Sequence, residues 1–272
     1  MKGLLLTVLG LALFFVVVIY LCQGRFIYFP RKYHSSTEGL ARVKALSFLS
    51  GGKKQYLLLP NREGNVSPKR IWWIFSGNGS VGLDWLELTE AVKNPEVAFV
   101  LFDYPGYGFN KGSASPDRIA RSIDAAIPAV AESFDLSEND LLQRSSATGH
   151  SLGCAVALDF AQRHGLNRVI AIAPFTTMAA MARRQMGTVV VPLLRHRYDN
   201  EKSVDKLLAS GRQFDLTIFH GDSDNLIPDS MGRELAARDK SNTKIRFLSV
   251  RGAGHNNIVG SIAPELVRIW GE

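Results

Sequence analysis

From residue 45 onward the chain alternates between two hydrophobic patterns. Short runs rich in β-branched and aromatic residues occupy 45–49, 55–59, 71–75, 97–102, 168–173, 216–219 and 244–250. Between them lie stretches with apolar residues at helical spacing, at 84–93, 116–133, 152–164, 229–240 and 261–270. Strand-type runs alternating with helices predict a mostly parallel sheet with helices on both faces. The first two runs are close together and predict an antiparallel hairpin on one edge. No repeat or low-complexity linker divides 45–272, so one domain is expected there. About 40 residues, at 175–213, interrupt the rhythm between two strands. Structureless loops that long are uncommon in compact domains, so a short helical cap is expected.

The N-terminus follows neither pattern. From Gly3 to Cys22 there is no charged residue. About 20 apolar residues match the hydrocarbon thickness of a bilayer. A cleavable signal peptide competes, since Met1-Lys2 is a short positive start. The run is long for that role, however, and no Ala-x-Ala site follows. A retained single-pass anchor over 3–22 is therefore expected, followed by a basic juxtamembrane stem over 23–54. Arg25, Arg31 and Lys32 against Lys2 and the amino terminus lean only slightly toward a cytoplasmic body.

Charge changes the picture once it is placed. The 272 residues carry 32 Lys and Arg against 25 Asp and Glu, a net +7. Residues 1–54 hold eight of those bases and one acid, so the body beyond is neutral. That distribution argues against a nucleic-acid partner and leaves the stem either at lipid headgroups or as a solvated linker with ordinary surface bases. Two cysteines exclude a disulfide scaffold. The histidines and cysteines show no metal-ligand spacing, so neither metal nor cofactor is expected. The sequence says nothing about oligomeric state.

The chemistry begins at Gly149-His150-Ser151-Leu152-Gly153, which fits G-x-S-x-G. A strand that turns sharply into a helix holds its serine above the sheet, and side chains at 149 and 153 would clash in that turn. The residues before it are unusual for a buried strand, because Gln143 to Thr148 are mostly polar. A serine needs a base, and the base needs an orienting carboxylate. His255 leaves the 244–250 strand and is the expected base. The acid is Asp224 or Asp222 in the loop after 216–219, with Asp224 preferred because it sits deeper. His150 is expected to point away from the turn, and His220 to support the acid loop. Ser76-Gly77-Asn78 follows strand 71–75, where backbone N–H groups can meet a developing oxyanion. Leu152 and Asn78 are the expected donors. Cys154 is expected to be a packed core thiol.

Taken together, these motifs resemble the α/β-hydrolase fold. The nearest branch is that of small membrane-anchored α/β-hydrolase-domain proteins related to serine aminopeptidase-type and monoacylglycerol-lipase-type domains. The resemblance runs from about Arg25 to the C-terminus. It includes Phe26-Ile27-Tyr28-Phe29-Pro30 and Phe102-Asp103-Tyr104-Pro105-Gly106-Tyr107-Gly108. It implies a triad of Ser151, Asp224 and His255, with oxyanion donors at Asn78 and Leu152. The family usually has His-Gly-Asn where this chain has Ser76-Gly77-Asn78, so the side-chain support of that loop is expected to differ.

The expected function is a membrane-anchored serine hydrolase acting on an ester or thioester, with a small acyl or lipid-like substrate. A peptidase or amidase of the same fold is the alternative enzyme, and a catalytically silent tethered binding protein the alternative class. Met178, Met181, Met186, Val189, Val190, Val191, Leu193 and Leu194 of the cap are expected to line an acyl pocket. Arg183, Arg184, Arg195, His196 and Arg197 either form a solvated face or hold an anionic headgroup.

Overall fold

The computed structural model describes residues 2–62 and 66–272, without the side chains of residues 2, 5, 6, 8, 9, 12 and 13. Helix α1 (Lys2–Ile27) leads into an antiparallel hairpin of β1 (Val43–Ser50) and β2 (Lys53–Pro60). The core strands β3 (Arg70–Phe75) and β4 (Val97–Phe102) are joined through the short helix α2 (Leu86–Glu90). Two helices, α3 (Pro116–Ser133) and α4 (Glu138–Arg144), precede β5 (Ser145–His150). There follow α5 (Leu152–His164), β6 (Arg168–Ile172), α6 (Met178–Met186), α7 (Asn200–Ala209) and β7 (Asp215–Gly221). The chain ends with α8 (Asp229–Ala236), β8 (Ile245–Val250), α9 (Ile258–Ser261) and α10 (Ala263–Gly271).

The strands form one sheet in the order β1-β2-β4-β3-β5-β6-β7-β8, parallel from β4 to β8. β4 is buried at every position, and β3 at every position after Arg70, as strands covered on both faces must be. The hairpin lies on the edge, as its sequence predicts. Helix α3 starts where Ser115 accepts the Arg118 N–H and Pro116 supplies a preset φ. Helix α5 stops at Gly165, whose φ of 72° favours a residue without Cβ.

β5 is where the sequence pattern misleads. Its residues are polar, yet five of six are buried between β3 and β6. Tryptophans provide the partners. Trp73 Nε1 donates to Ser145 Oγ at 3.0 Å, and Ser145 Oγ donates on to Leu141 O at 2.7 Å. Trp270 Nε1 donates to Thr148 Oγ1 at 3.0 Å. A buried hydroxyl with a partner costs little, and small side chains let α5 approach the sheet closely. Helix α4, which also escapes the sequence reading, supplies that Leu141 carbonyl.

The inserted segment contains α6, a 3₁₀ turn (Thr188–Leu193) and α7. Only its first half roofs the sheet edge; Val204 and Leu207 of α7 are buried in the body. Among the described residues no helix is long and apolar enough to cross a membrane. The expected span over 3–22 is therefore not supported there, and seven of the undescribed side chains fall in or beside it.

The order reverses beside β3, which has β4 on one side and β5 on the other. Ligands in open α/β sheets bind at such a switch point, outside the carboxyl ends of the strands. The loops after β3, β5, β7 and β8 all emerge at that edge.

Candidate active site

The turn from β5 into α5 holds Ser151 at φ 54° and ψ −117°. A non-glycine residue at such a φ stores about 1–3 kcal/mol of strain, which the surroundings must impose. They do so through two glycines. A Cβ on Gly149 would sit 2.2 Å from Gly153 O, and one on Gly153 would sit 2.0 Å from Phe75 O. Both positions therefore require glycine, for contact with backbone rather than for φ. Ser151 N–H donates to Ile172 O at 2.9 Å, which pins the turn to β6. Cys154 is fully buried beneath it with Sγ 3.1 Å from Gly149 O and Ile172 O, and burial pushes its thiol far up. It is a packed core thiol.

Ser151 Oγ lies 3.0 Å from His255 Nε2, and His255 Nδ1 lies 2.7 Å from Asp224 Oδ2. With Asp224 as the acceptor, Nδ1 carries the proton and Nε2 is free to accept the serine proton. Asp224 Oδ1 accepts from Leu226 N–H at 2.9 Å and Ile227 N–H at 2.8 Å. Burial pushes the Asp224 carboxyl up, but the neighbouring His220 and His255 imidazoles and the Ile227 N–H outweigh it and hold it well below the usual carboxylate range. Asp222 has another place. Its Oδ1 accepts from Gly252 N–H at 2.7 Å and Ser223 Oγ at 3.0 Å, joining the two loops at the surface. His220 Nε2 is 3.7 Å from Asp224 Oδ2, too far for a hydrogen bond, and donates to Ile227 O at 2.9 Å.

His150 corrects the sequence reading. Instead of pointing away, its ring packs on the His255 ring with centroids 5.1 Å apart, and its Nε2 donates to His255 O at 3.2 Å. Burial, and then the neighbouring His255, lower its pKa to about 4. It is a neutral wedge behind the His255 imidazole. A β-strand residue one before the serine gives no periodicity signal for that role.

The Ser76-Gly77-Asn78 loop carries its support in a different form from a histidine. Ser76 Oγ accepts from Trp85 Nε1 at 3.0 Å, and Ser76 O accepts from Tyr104 Oη at 2.6 Å. Asn78 O accepts from Tyr107 Oη at 2.6 Å and Phe29 N–H at 3.0 Å. A Cβ on Gly77 would come within 3.3 Å of His150 Nδ1, so the loop lies directly against the turn. With its carbonyl held from behind, Asn78 faces the cavity beside Ser151 and Leu152.

Behind this loop lies the Asp103 carboxylate. It accepts from Gly82 N–H at 2.8 Å, and burial raises its pKa to about 6. Asn110 Nδ2 donates to the Asp103 carbonyl at 2.7 Å while Asn110 Oδ1 accepts from Tyr56 N–H at 2.6 Å. These bonds fix the turn that carries Tyr104 and Tyr107.

A cavity of about 460 Å³ opens over Ser151, Leu152 and Asn78. Its walls include Met178, Met181, Met186, Val190 and Leu194 from the cap region, as expected from sequence. Val189, Val191 and Leu193 do not line it, and Val189 is 79% exposed. The largest surprise is α1, which contributes Ile19, Gln23, Phe26 and Ile27 to the roof. Gln23 is buried and clamps the cap from both sides. Its Nε2 donates to Leu193 O at 2.5 Å, and its Oε1 accepts from Arg195 N–H at 2.7 Å. The Phe26-to-Pro30 motif directly after the apolar run is the sequence signal for this placement.

With that geometry in view, residues 74–239 match the alpha/beta hydrolase family, over more than half the chain. The chain belongs to the alpha/beta hydrolase family. It is 26% identical to the uncharacterized protein Rv2307c of Mycobacterium tuberculosis, over 89% of this chain and 83% of that one. It is 30% identical to mouse alpha/beta hydrolase domain-containing protein 17C over 58% of this chain and 45% of that protein. In fold it is similar to the Pyrococcus furiosus esterase PF2001, with a TM-score of 0.69 at 14% identity, covering 90% of this chain and 96% of the esterase. For a hydrolase-family chain the remaining question is which bond the site cleaves.

Proposed function

We propose that this protein is a serine hydrolase, of the membrane-anchored branch of its family, acting on an acyl ester or thioester. The observation that carries the reading is the line of contacts from Asp224 through His255 to Ser151 Oγ, opening into an apolar cavity. Ser151 Oγ attacks the acyl carbonyl as His255 Nε2 takes its proton. The N–H groups of Asn78 and Leu152 receive the oxyanion, and Asp224 offsets the imidazolium charge. Collapse expels the alcohol or thiol, which takes the proton from His255. Water, deprotonated by the same imidazole, then releases the acid and restores the serine.

Two features favour an acyl chain. The cavity volume suits a ligand of lipid-fragment size, and its walls are mainly aliphatic and Met side chains. The roof comes from α1, whose upstream run from Gly3 to Cys22 has no charge and exposes Leu4, Leu11, Phe14, Phe15 and Leu21. Such a helix, held in a bilayer, delivers acyl chains to the side of the cavity that it forms.

A fluorophosphonate probe tests the chemistry. Full-length protein in neutral detergent labels, and Ser151→Ala does not. Equal labelling of the two would reject Ser151 as nucleophile. A panel of p-nitrophenyl esters from acetyl to dodecanoyl, with matching anilides, tests the substrate class. The reading expects kcat/KM to rise with chain length and to fall for anilides; faster anilide turnover would reverse the assignment.

A further inference from the structure

Two cavities flank the last turns of α1. Opposite the apolar one lies a hollow of about 780 Å³, where the helix presents Leu21, Cys22 and Arg25. Arg118 and Arg121 of α3, and Arg195 and Arg197 following the cap's 3₁₀ turn, complete a ring of five arginines around it. A smaller hollow shares Arg118 and Arg121 and adds Lys53 and Lys111. Asp117 is the single acid lining either one.

Pairing sets these bases apart. Arg31, Arg42, Arg163, Arg233, Arg238 and Arg268 each meet a carboxylate. Among the described residues none of the seven bases around the two hollows does. The neutral body of the sequence is thus neutral only in sum: five of its bases without a carboxylate partner gather here with two stem bases, Arg25 and Lys53. The field is felt locally. Burial, followed by Arg195 and Arg118, holds the nearby His196 below its usual range. The amino end of the 18-residue α3 opens onto the same hollow and adds partial positive charge.

We propose that this basic hollow holds the anionic headgroup of a phospholipid from the bilayer that carries α1. Guanidinium groups match a phosphate diester through paired N–H donors. Leu21 and Cys22, the last residues of the uncharged run, form one wall, and Arg25 is the first base beyond it. That places the hollow level with headgroups rather than with free phosphate in bulk water. The inference rests on the proposed anchor and is independent of the hydrolase chemistry.

Native mass spectrometry of the full-length chain, released from neutral detergent, tests it with dioleoyl phosphatidylglycerol, dioleoyl phosphatidylcholine and inorganic phosphate as probes. One phosphatidylglycerol is retained at least about fivefold more than phosphatidylcholine. Arg121→Gln combined with Arg25→Gln removes most of that preference. Among the described residues neither side chain hydrogen-bonds or ion-pairs with the rest of the protein, so the fold is not the variable. Arg183→Gln with Arg184→Gln, two cap bases that line neither hollow, keeps the preference. Equal retention of the two lipids, equal loss in the two variant pairs, or displacement by inorganic phosphate each overturns the proposal. Alkaline carbonate extraction of membranes reads the anchor separately. Release of the chain with lipid preference intact rejects the anchor, whereas retention without preference rejects the headgroup site.

Discussion

The floor and the roof of the apolar cavity are built on opposite rules. The floor is the β5–α5 turn with its facing loops, where Gly149 and Gly153 have no room for a methyl group and Asp224 is fully enclosed. Its polar atoms are tied one to another. The roof is made of α1 and the cap, where Met186 is exposed and Gln23 is the polar clamp. Rigid packing suits a site where reacting atoms must hold their distances. Flexible Met and aliphatic side chains suit a wall that must accept chains of varied length. On the proposed function, the difference assigns the reaction to the floor and the choice of substrate to the roof.

Breaking the floor gives the largest effects. Ser151→Ala lowers ester turnover by roughly 10⁴- to 10⁶-fold with little loss of stability, read by steady-state kinetics and urea unfolding together. Gly153→Ala forces a Cβ onto the Phe75 carbonyl and lowers stability by about 3 kcal/mol or more, with activity lost as the turn moves. A wild-type urea midpoint for Gly153→Ala would show that the floor yields more than its contacts imply.

His150 sharpens the comparison through pH. Its folded pKa of about 4 lies below the ordinary 6.5, so the unfolded chain binds the proton first. The stability it contributes is full above about pH 6.5 and falls as pH drops toward 4, by on the order of 3 kcal/mol. Asp103, raised to about 6, has the opposite slope between its ordinary 3.8 and 6 and partly offsets this. In His150→Phe the histidine contribution disappears while that of Asp103 remains. The variant therefore loses less stability than wild type between pH 7 and 4.5, measured by urea midpoints. The roof gives the smallest effect. Gln23→Ala removes two bonds to the cap backbone and raises KM for a dodecanoyl ester about fivefold more than for an acetyl ester. Equal changes for both esters would place Gln23 in the floor's function instead.

Much of the sheet was legible because its strands obey simple burial. The run 97–102 coincides with β4, and β3 differs from its predicted run by one residue. β5 was not, since its signal lies in partners far along the chain: Ser145 and Thr148 are acceptable inside only because Trp73 and Trp270 reach them. The spacing of the G-x-S-x-G turn and the order of the loops pointed to Ser151, Asp224 and His255, which the fold brings within hydrogen-bond reach. The cap half of the roof was legible in its Met and aliphatic residues, but the α1 half was not, because an apolar helix reads as a bilayer segment whether or not its last turns also cover a cavity. His150 was misread because backbone geometry at a strained turn, not side-chain periodicity, decides where it points.

The central claim is that Ser151 carries the acyl group between the two halves of the reaction. Full-length protein mixed with p-nitrophenyl dodecanoate, quenched in acid and digested, reports this directly by mass spectrometry. The account predicts a dodecanoyl adduct on the peptide containing Ser151, absent from Ser151→Ala. Steady ester turnover with no adduct on that peptide, or turnover undiminished in Ser151→Ala, would contradict it.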